Sequence, residues 1–150
     1  MAVIRMDNVA IVVDDLDAAI DFFADLGLAL EARQEVEGPW VDGVVGLDGV
    51  RSEIAMMRTP DGHSQVELTY YHSPASVVGS PPAPPPNELG LTRIMFTVDD
   101  IDDCVARLGA HGATVLREVV DFGDYYRLCY LRGPAGIIVA LAQPLRPEGD

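Results

Sequence analysis

Apolar residues recur with period two at Val9, Ile11 and Val13, leaving Asn8, Ala10 and Val12 on the opposite face of an extended chain. The spacing predicts a strand. Asp14 or Asp15 then stands where a helix N-cap is needed, and further acids follow in the first turn, facing the positive end of the helix dipole. Leu16, Ile20 and Phe23 fall at helical spacing, and Gly27 supplies the left-handed residue that ends such a helix. The same pattern returns 85 residues later. Ile94, Phe96 and Val98 repeat the strand, Asp99-Asp100 the cap, Ile101, Val105 and Leu108 the helix stripe, and Gly112 the stop.

A second self-match has an offset of 74. Ile54 to Gly62 lies on Leu128 to Gly136, so Pro60-Asp61-Gly62 and Pro134-Ala135-Gly136 are predicted as equivalent hairpin turns. Gln65 to Thr69 then pairs with Ile138 to Ala142. Each copy reads β-α-β-β-β. The fall in offset gives the first copy eleven more residues between its second and third strands, within Glu37 to Gly49, which reads as a loop carrying Trp40. Between the copies lies Ser73 to Gly90, with six prolines, too many for a helix interior or a central strand. It is expected to be a semi-rigid linker, partly polyproline II and partly disordered. The expected organisation is a first module over 1–72, the linker over 73–90, a second module over 91–145 and a frayed tail over 146–150, all within one structural domain.

Composition narrows the function classes. A formal charge of −14 repels phosphate backbones and argues against nucleic-acid binding. All ten basic residues are arginine, which excludes lysine Schiff-base chemistry and a P-loop lysine. No apolar window is long enough for a membrane helix, and Met1 to Arg5 leads directly into strand-like sequence, so neither a membrane span nor a signal peptide is expected. Two cysteines without metal-like spacing, Cys104 and Cys129, fit a reduced, cytoplasmic protein. There is no Gly-x-Ser-x-Gly elbow, recognisable Cys/His motif or Gly-rich phosphate loop. Asp14, Asp15, Asp99 and Asp100 are read as caps rather than catalysts.

The duplicated pattern, from Asn8 to Phe23, through Pro60-Asp61-Gly62 and Val66-Glu67-Leu68, to Ile94 to Asp102 and Gly133 to Gly136, resembles the vicinal oxygen chelate superfamily of glyoxalases, bleomycin resistance proteins and extradiol dioxygenases. The resemblance implies an α+β fold in which two βαβββ modules form a cupped mixed sheet with helices on the convex face. Metal-using members of that superfamily carry ligands on the first and fourth strand of each module. Carried over, those positions are Asn8, Glu67, Arg93 and Ala140. Alanine has no donor, and arginine has no lone pair and repels a cation, so no metal is expected at that site and no cofactor is required, unless the alignment of ligand positions is wrong. His63, His72 and His111 are read as surface or structural residues, with His72 on the face opposite Glu67.

If Asn8 faces the cup, alternation also sends Glu67, Thr69 and Tyr71, and Arg93, Met95 and Thr97, toward it. A Glu67–Arg93 pair with Asn8 hydrogen-bonded to either is one expected arrangement. The candidate ligand-binding set is Asn8, Trp40, Met56, Glu67, Tyr71, Arg93, Met95, Phe122 and Tyr126, with Glu67 the sole catalytic candidate. Met56 and Met57 are read as adaptable surface. The leading expectation is metal-independent binding or sequestration of a small aromatic molecule by a homodimer. The alternative is a glyoxalase-, epimerase- or dioxygenase-like enzyme using Glu67 as base or as a retained metal ligand.

Overall fold

The computed structural model describes residues 2–79 and 82–146. Its contacts divide the chain into two compact units, with the boundary between Val78 and Gly79 inside the proline-rich segment. The first unit runs β1 (Val9–Val12), α1 (Leu16–Leu26), β2 (Ala29–Glu37), α2 (Pro39–Val45), β3 (Arg51–Arg58) and β4 (Gln65–Ser73). The second runs β5 (Arg93–Thr97), α3 (Ile101–Gly109), β6 (Thr114–Val115), β7 (Val120–Phe122), β8 (Tyr126–Arg132) and β9 (Ile138–Pro144). The fold class is thus α+β. Each unit holds a mixed sheet, in the orders β1-β4-β3-β2 and β5-β9-β8-β6, with β7 also on β8. β1 runs parallel to β4 and β5 parallel to β9, while the other pairs are antiparallel.

Helices α1 and α3 begin and end as the repeat predicts. Asp15 Oδ1 accepts from Ala18 N at 3.0 Å, and Asp100 Oδ1 from Asp103 N at 3.1 Å. At the C-termini, Leu28 N donates to Phe23 O and Gly27 N to Ala24 O, and Ala113 N donates to Leu108 O and Gly112 N to Gly109 O. Those are paired Schellman closures, and they need the positive φ of Gly27 (119°) and Gly112 (86°). α1 buries Leu16, Ala19, Ile20, Phe22, Phe23 and Leu26 and packs on β2, β3 and β4. The sheet answers with Ile11, Val13, Ala55, Met57, Val66 and Leu68. Met57 is therefore core, not adaptable surface as expected, because strand alternation turns it toward α1. In the second unit Ile101, Cys104 and Leu108 are buried, Cys104 taking the place expected for Val105.

Two local expectations change. β6 and β7 both pair with β8, so the second copy's second strand is broken in two. The segment read as a linker is structured from Pro82 onward. Glu88 N donates to Pro85 O, Thr92 Oγ1 to Pro86 O, and the Pro82–Ala83 backbone lies against the hairpin at Gly136. A Cβ on Gly136 would meet Pro82 O at 2.6 Å, at a φ of +76° that side chains rarely adopt. Gly136→Ala is expected to cost about 1–3 kcal/mol, read as a lower urea midpoint with an unchanged slope. Of the expected tail, Arg146 ion-pairs with Asp124 and stacks on Tyr125, while 147–150 lie outside the described residues.

Both cysteines are free and buried. Burial raises the Cys104 thiol and pushes Cys129 up to about 11. At pH 8 both remain almost wholly protonated, so a thiol-disulfide reagent is expected to react with neither until the protein unfolds. A fast reaction of the native protein would contradict that expectation.

Candidate functional site

Seven residues of the first unit's additional segment, Pro39–Val45, form a helix rather than the expected loop. Pro39 stands at the first helical position, where its missing N–H costs nothing, and Gly46 closes the helix at a φ of 80° by donating to Asp42 O. The Asp42 carboxylate accepts from Gly49 N at 3.0 Å and Val50 N at 2.8 Å, tying the return segment to the helix. Val41 is buried, and α2 packs on β2. The remaining apolar side chains of α2 stay open. Trp40 is 66% exposed, Val44 80% and Val45 41%.

Those three residues wall a pocket of about 500 Å³. Its floor comes from the outward-alternating positions of three neighbouring strands: Gln34 and Val36 of β2, Ser52 and Ile54 of β3, and Glu67, Thr69 and Tyr71 of β4. Pairing sets them side by side, with Val36 opposite Ser52 opposite Tyr71, and Gln34 opposite Ile54 opposite Thr69. The buried hydroxyls are satisfied: Ser52 Oγ donates to Val36 O at 3.2 Å and Thr69 Oγ1 to Glu67 Oε2 at 3.2 Å. Glu67 is half-buried, and among the described residues of this unit no basic side chain pairs with it. Glu37, at the rim, is matched to Arg51 at 3.4 Å. Glu35, also at the rim and exposed, faces His72 at 3.2 Å. The pocket is therefore an aromatic and aliphatic slot whose one half-buried carboxylate, Glu67, has no basic partner within its own unit.

Of the sequence-predicted residues, Trp40, Glu67 and Tyr71 meet in this pocket. Met56 lies directly across from Glu67 on the same sheet face but is not part of the lining. Asn8 precedes β1, and its amide donates to Asp7 Oδ2 at 3.0 Å rather than to Glu67. Val44, Val45, Ser52 and Ile54 were not anticipated. The signal for the first two was present, because Val41, Val44 and Val45 sit at helical spacing between Gly38-Pro39 and Gly46.

The other predicted residues share one face of the second sheet. Phe122 pairs with Tyr126 across β7 and β8, and Met95 pairs with Ala140. All but Ala140 are exposed. Arg93 reaches across β9 to stack its guanidinium over Tyr130, 5.0 Å from the ring centroid. Tyr130 is the register partner of Ala140, and the small alanine between them leaves room for that stack. The donor set at the four positions inferred from the superfamily thus does not fit a metal: one primary amide turned to Asp7, one carboxylate, one stacked cation and one fully buried alanine.

Two units of this strand order, each with a helix over one sheet face and each copying the other's caps and hairpins, define a duplicated βαβββ protein. The chain belongs to the Glyoxalase/Bleomycin resistance protein/Dioxygenase superfamily, whose family model matches residues 5–141. It is similar to a glyoxalase family protein from Bacillus cereus, with 50% identity, a TM-score of 0.92, and coverage of 97% of this chain and 99% of that one. A glyoxylase/bleomycin resistance protein/dioxygenase domain from Frankia shares the fold at 16% identity, a TM-score of 0.67 and coverage of 99% and 96%. TnmS3, an antibiotic binding protein from Streptomyces, does so at 21% identity, a TM-score of 0.60 and coverage of 96% and 98%. No curated protein matches the chain.

Proposed function

We propose that this protein binds a small, flat aromatic molecule carrying a positive charge in the pocket between α2 and strands β2 to β4, without a metal at the superfamily's usual ligand positions. One observation carries the reading: Glu67 stands as a single half-buried carboxylate in a slot walled by Trp40, Val44, Val45, Ile54 and Tyr71. Such a slot favours a π-face for stacking and a charge opposite to its own. The net charge of −14 adds long-range attraction for a cation. The fold's antibiotic-binding relative makes an aromatic antibiotic of that kind a reasonable ligand to test, with sequestration in the cytoplasm by a homodimer as the working role.

Trp40 is the sole tryptophan, so its fluorescence reports on the pocket directly. Three flat dyes of matched size, one cationic, one neutral and one anionic, should rank in that order by saturable quenching. An anion binding as tightly as the cation, or no saturation by any of them, would defeat the proposal. Elemental analysis tests the metal-free part: a stoichiometric ion lost in Glu67→Ala would overturn it. A second reading, Glu67 as general base of a glyoxalase- or epimerase-like enzyme, rests on the hydroxyl of Thr69, which orients that carboxylate by donating to one of its oxygens and leaves the other free to take a proton. Turnover of a bound compound, abolished in Glu67→Gln, would move the protein to that class.

A further inference from the structure

The three strands that floor the pocket carry a second cluster of polar groups on their other face. Alternation that points Gln34, Val36, Ser52, Ile54 and Tyr71 into the pocket puts Glu53 and His72 on the other face, and the carboxylate of Glu35, a residue that also borders the pocket, meets them there. Glu35 is the direct register partner of Glu53. Two carboxylates directly opposite across an antiparallel pair repel each other, so this position calls for a positive charge. His72 is delivered to the same place by a bulge. The β3–β4 register jumps from Arg51 opposite Ser73 to Ser52 opposite Tyr71, leaving His72 as the extra residue. A bulge of this kind re-aims a side chain. The ring Nε2 of His72 lies 3.3 Å from Glu35 Oε1 and 3.2 Å from Glu35 Oε2, so that nitrogen faces the cluster. Tyr70 holds the ring edge-on, with centroids 5.1 Å apart.

The geometry points to a binding site for a divalent transition cation, zinc in the first place, formed by Glu35, Glu53 and His72. One ligating atom from each residue lies within 4.8 Å of the other two. Tetrahedral zinc with nitrogen and oxygen ligands sets them on the order of 3.4 Å apart, a contraction that surface side chains reach by small rotations. One imidazole and two carboxylates suit zinc, cobalt(II) or nickel(II) better than calcium or magnesium, which favour all-oxygen shells. Arg33 supports the site. Its Nε donates to Glu53 Oε1 and its Nη1 to Asp17 Oδ1 at 2.6 Å, which orients Glu53 and leaves its second oxygen available. Counting Asp17, Arg33, Glu53 and Glu35, with neutral His72, the cluster carries two net negative charges, matching a divalent ion. An ion there would staple β2, β3 and β4 together directly behind the pocket.

Tag-free full-length protein titrated with zinc chloride by calorimetry, and with cobalt(II) chloride by visible absorption, tests the site. One equivalent of zinc should bind and raise the melting temperature. His72→Gln and Glu35→Gln should each weaken binding at least tenfold and abolish the rise, while melting like the wild type without metal, because both side chains are at the surface. Zinc should still bind to Glu67→Ala. Absence of saturable binding, or wild-type affinity in His72→Gln, would overturn the inference. Zinc lost in Glu67→Ala but kept in His72→Gln would overturn it too, and would place the ion in the pocket, against the metal-free reading above.

Discussion

Glu67→Gln is expected to weaken binding of a cationic aromatic ligand about 10- to 100-fold, the worth of a charge-assisted hydrogen bond of about 1.5–3 kcal/mol in a half-buried setting. Glutamine keeps the shape of the side chain and an oxygen that can still accept from Thr69. What it removes is the negative charge. A neutral dye of equal size should therefore bind the variant within about twofold of the wild type, since a change that keeps the side chain's shape leaves apolar stacking intact. Quenching of Trp40 measures both constants in the same cuvette. If the cation binds Glu67→Gln as tightly as the parent, the carboxylate is not a recognition element. The contrast isolates charge from burial, which Glu67→Ala would not do.

Phe23→Ala should produce the largest loss of stability among simple truncations, about 3–5 kcal/mol. Phe23 is fully buried, and its ring meets that of Phe22 edge-on with centroids 5.1 Å apart. Removing it costs the transfer energy of the ring, the edge-to-face contact and the cavity that remains. Set against a typical domain stability of about 5–15 kcal/mol, that is enough to populate unfolded chains at physiological temperature. Denaturant titration by circular dichroism gives the value. Val44→Ala is the matched control, because its side chain is mostly exposed on α2. It should leave stability unchanged while weakening ligand binding, and a large stability loss there would mean that α2 belongs to the core.

The comparison of the two copies inside one chain explains where the pocket comes from. In the first unit the inserted α2 covers one end of the sheet face and presents Trp40, Val44 and Val45 to it. The corresponding stretch of the second unit is short and breaks into β6 and β7, with Phe122 and Tyr126 left exposed. The two positions of the second unit that the superfamily resemblance matches to metal ligands, Arg93 and Ala140, offer no lone pair to a cation. With Ala140 on β9, the guanidinium of Arg93 passes over it to Tyr130.

The architecture was legible because it rests on local rules repeated twice. Period-two alternation, an aspartate cap, a helical stripe and a glycine stop each report on a few neighbouring residues, and their recurrence at one offset separates signal from chance. The face to which Glu67, Thr69 and Tyr71 belong followed from the same alternation, and so did the placement of His72 opposite them. The residues that meet across strands did not follow. Strand register decides that Val36, Ser52 and Tyr71 stand in one row and that Glu35 meets Glu53, and a single bulge decides that His72 joins them. Neither is encoded within any one segment, because register depends on how separate strands bury their apolar faces together. The chain from Asn8 to Gly27 by itself determined a strand and a capped helix. Only the tertiary structure decided that Asn8 turns to its neighbour Asp7 and that Glu67 is left facing an open aromatic slot, since hydrogen-bond partners and burial are properties of the packed sheet and not of the chain.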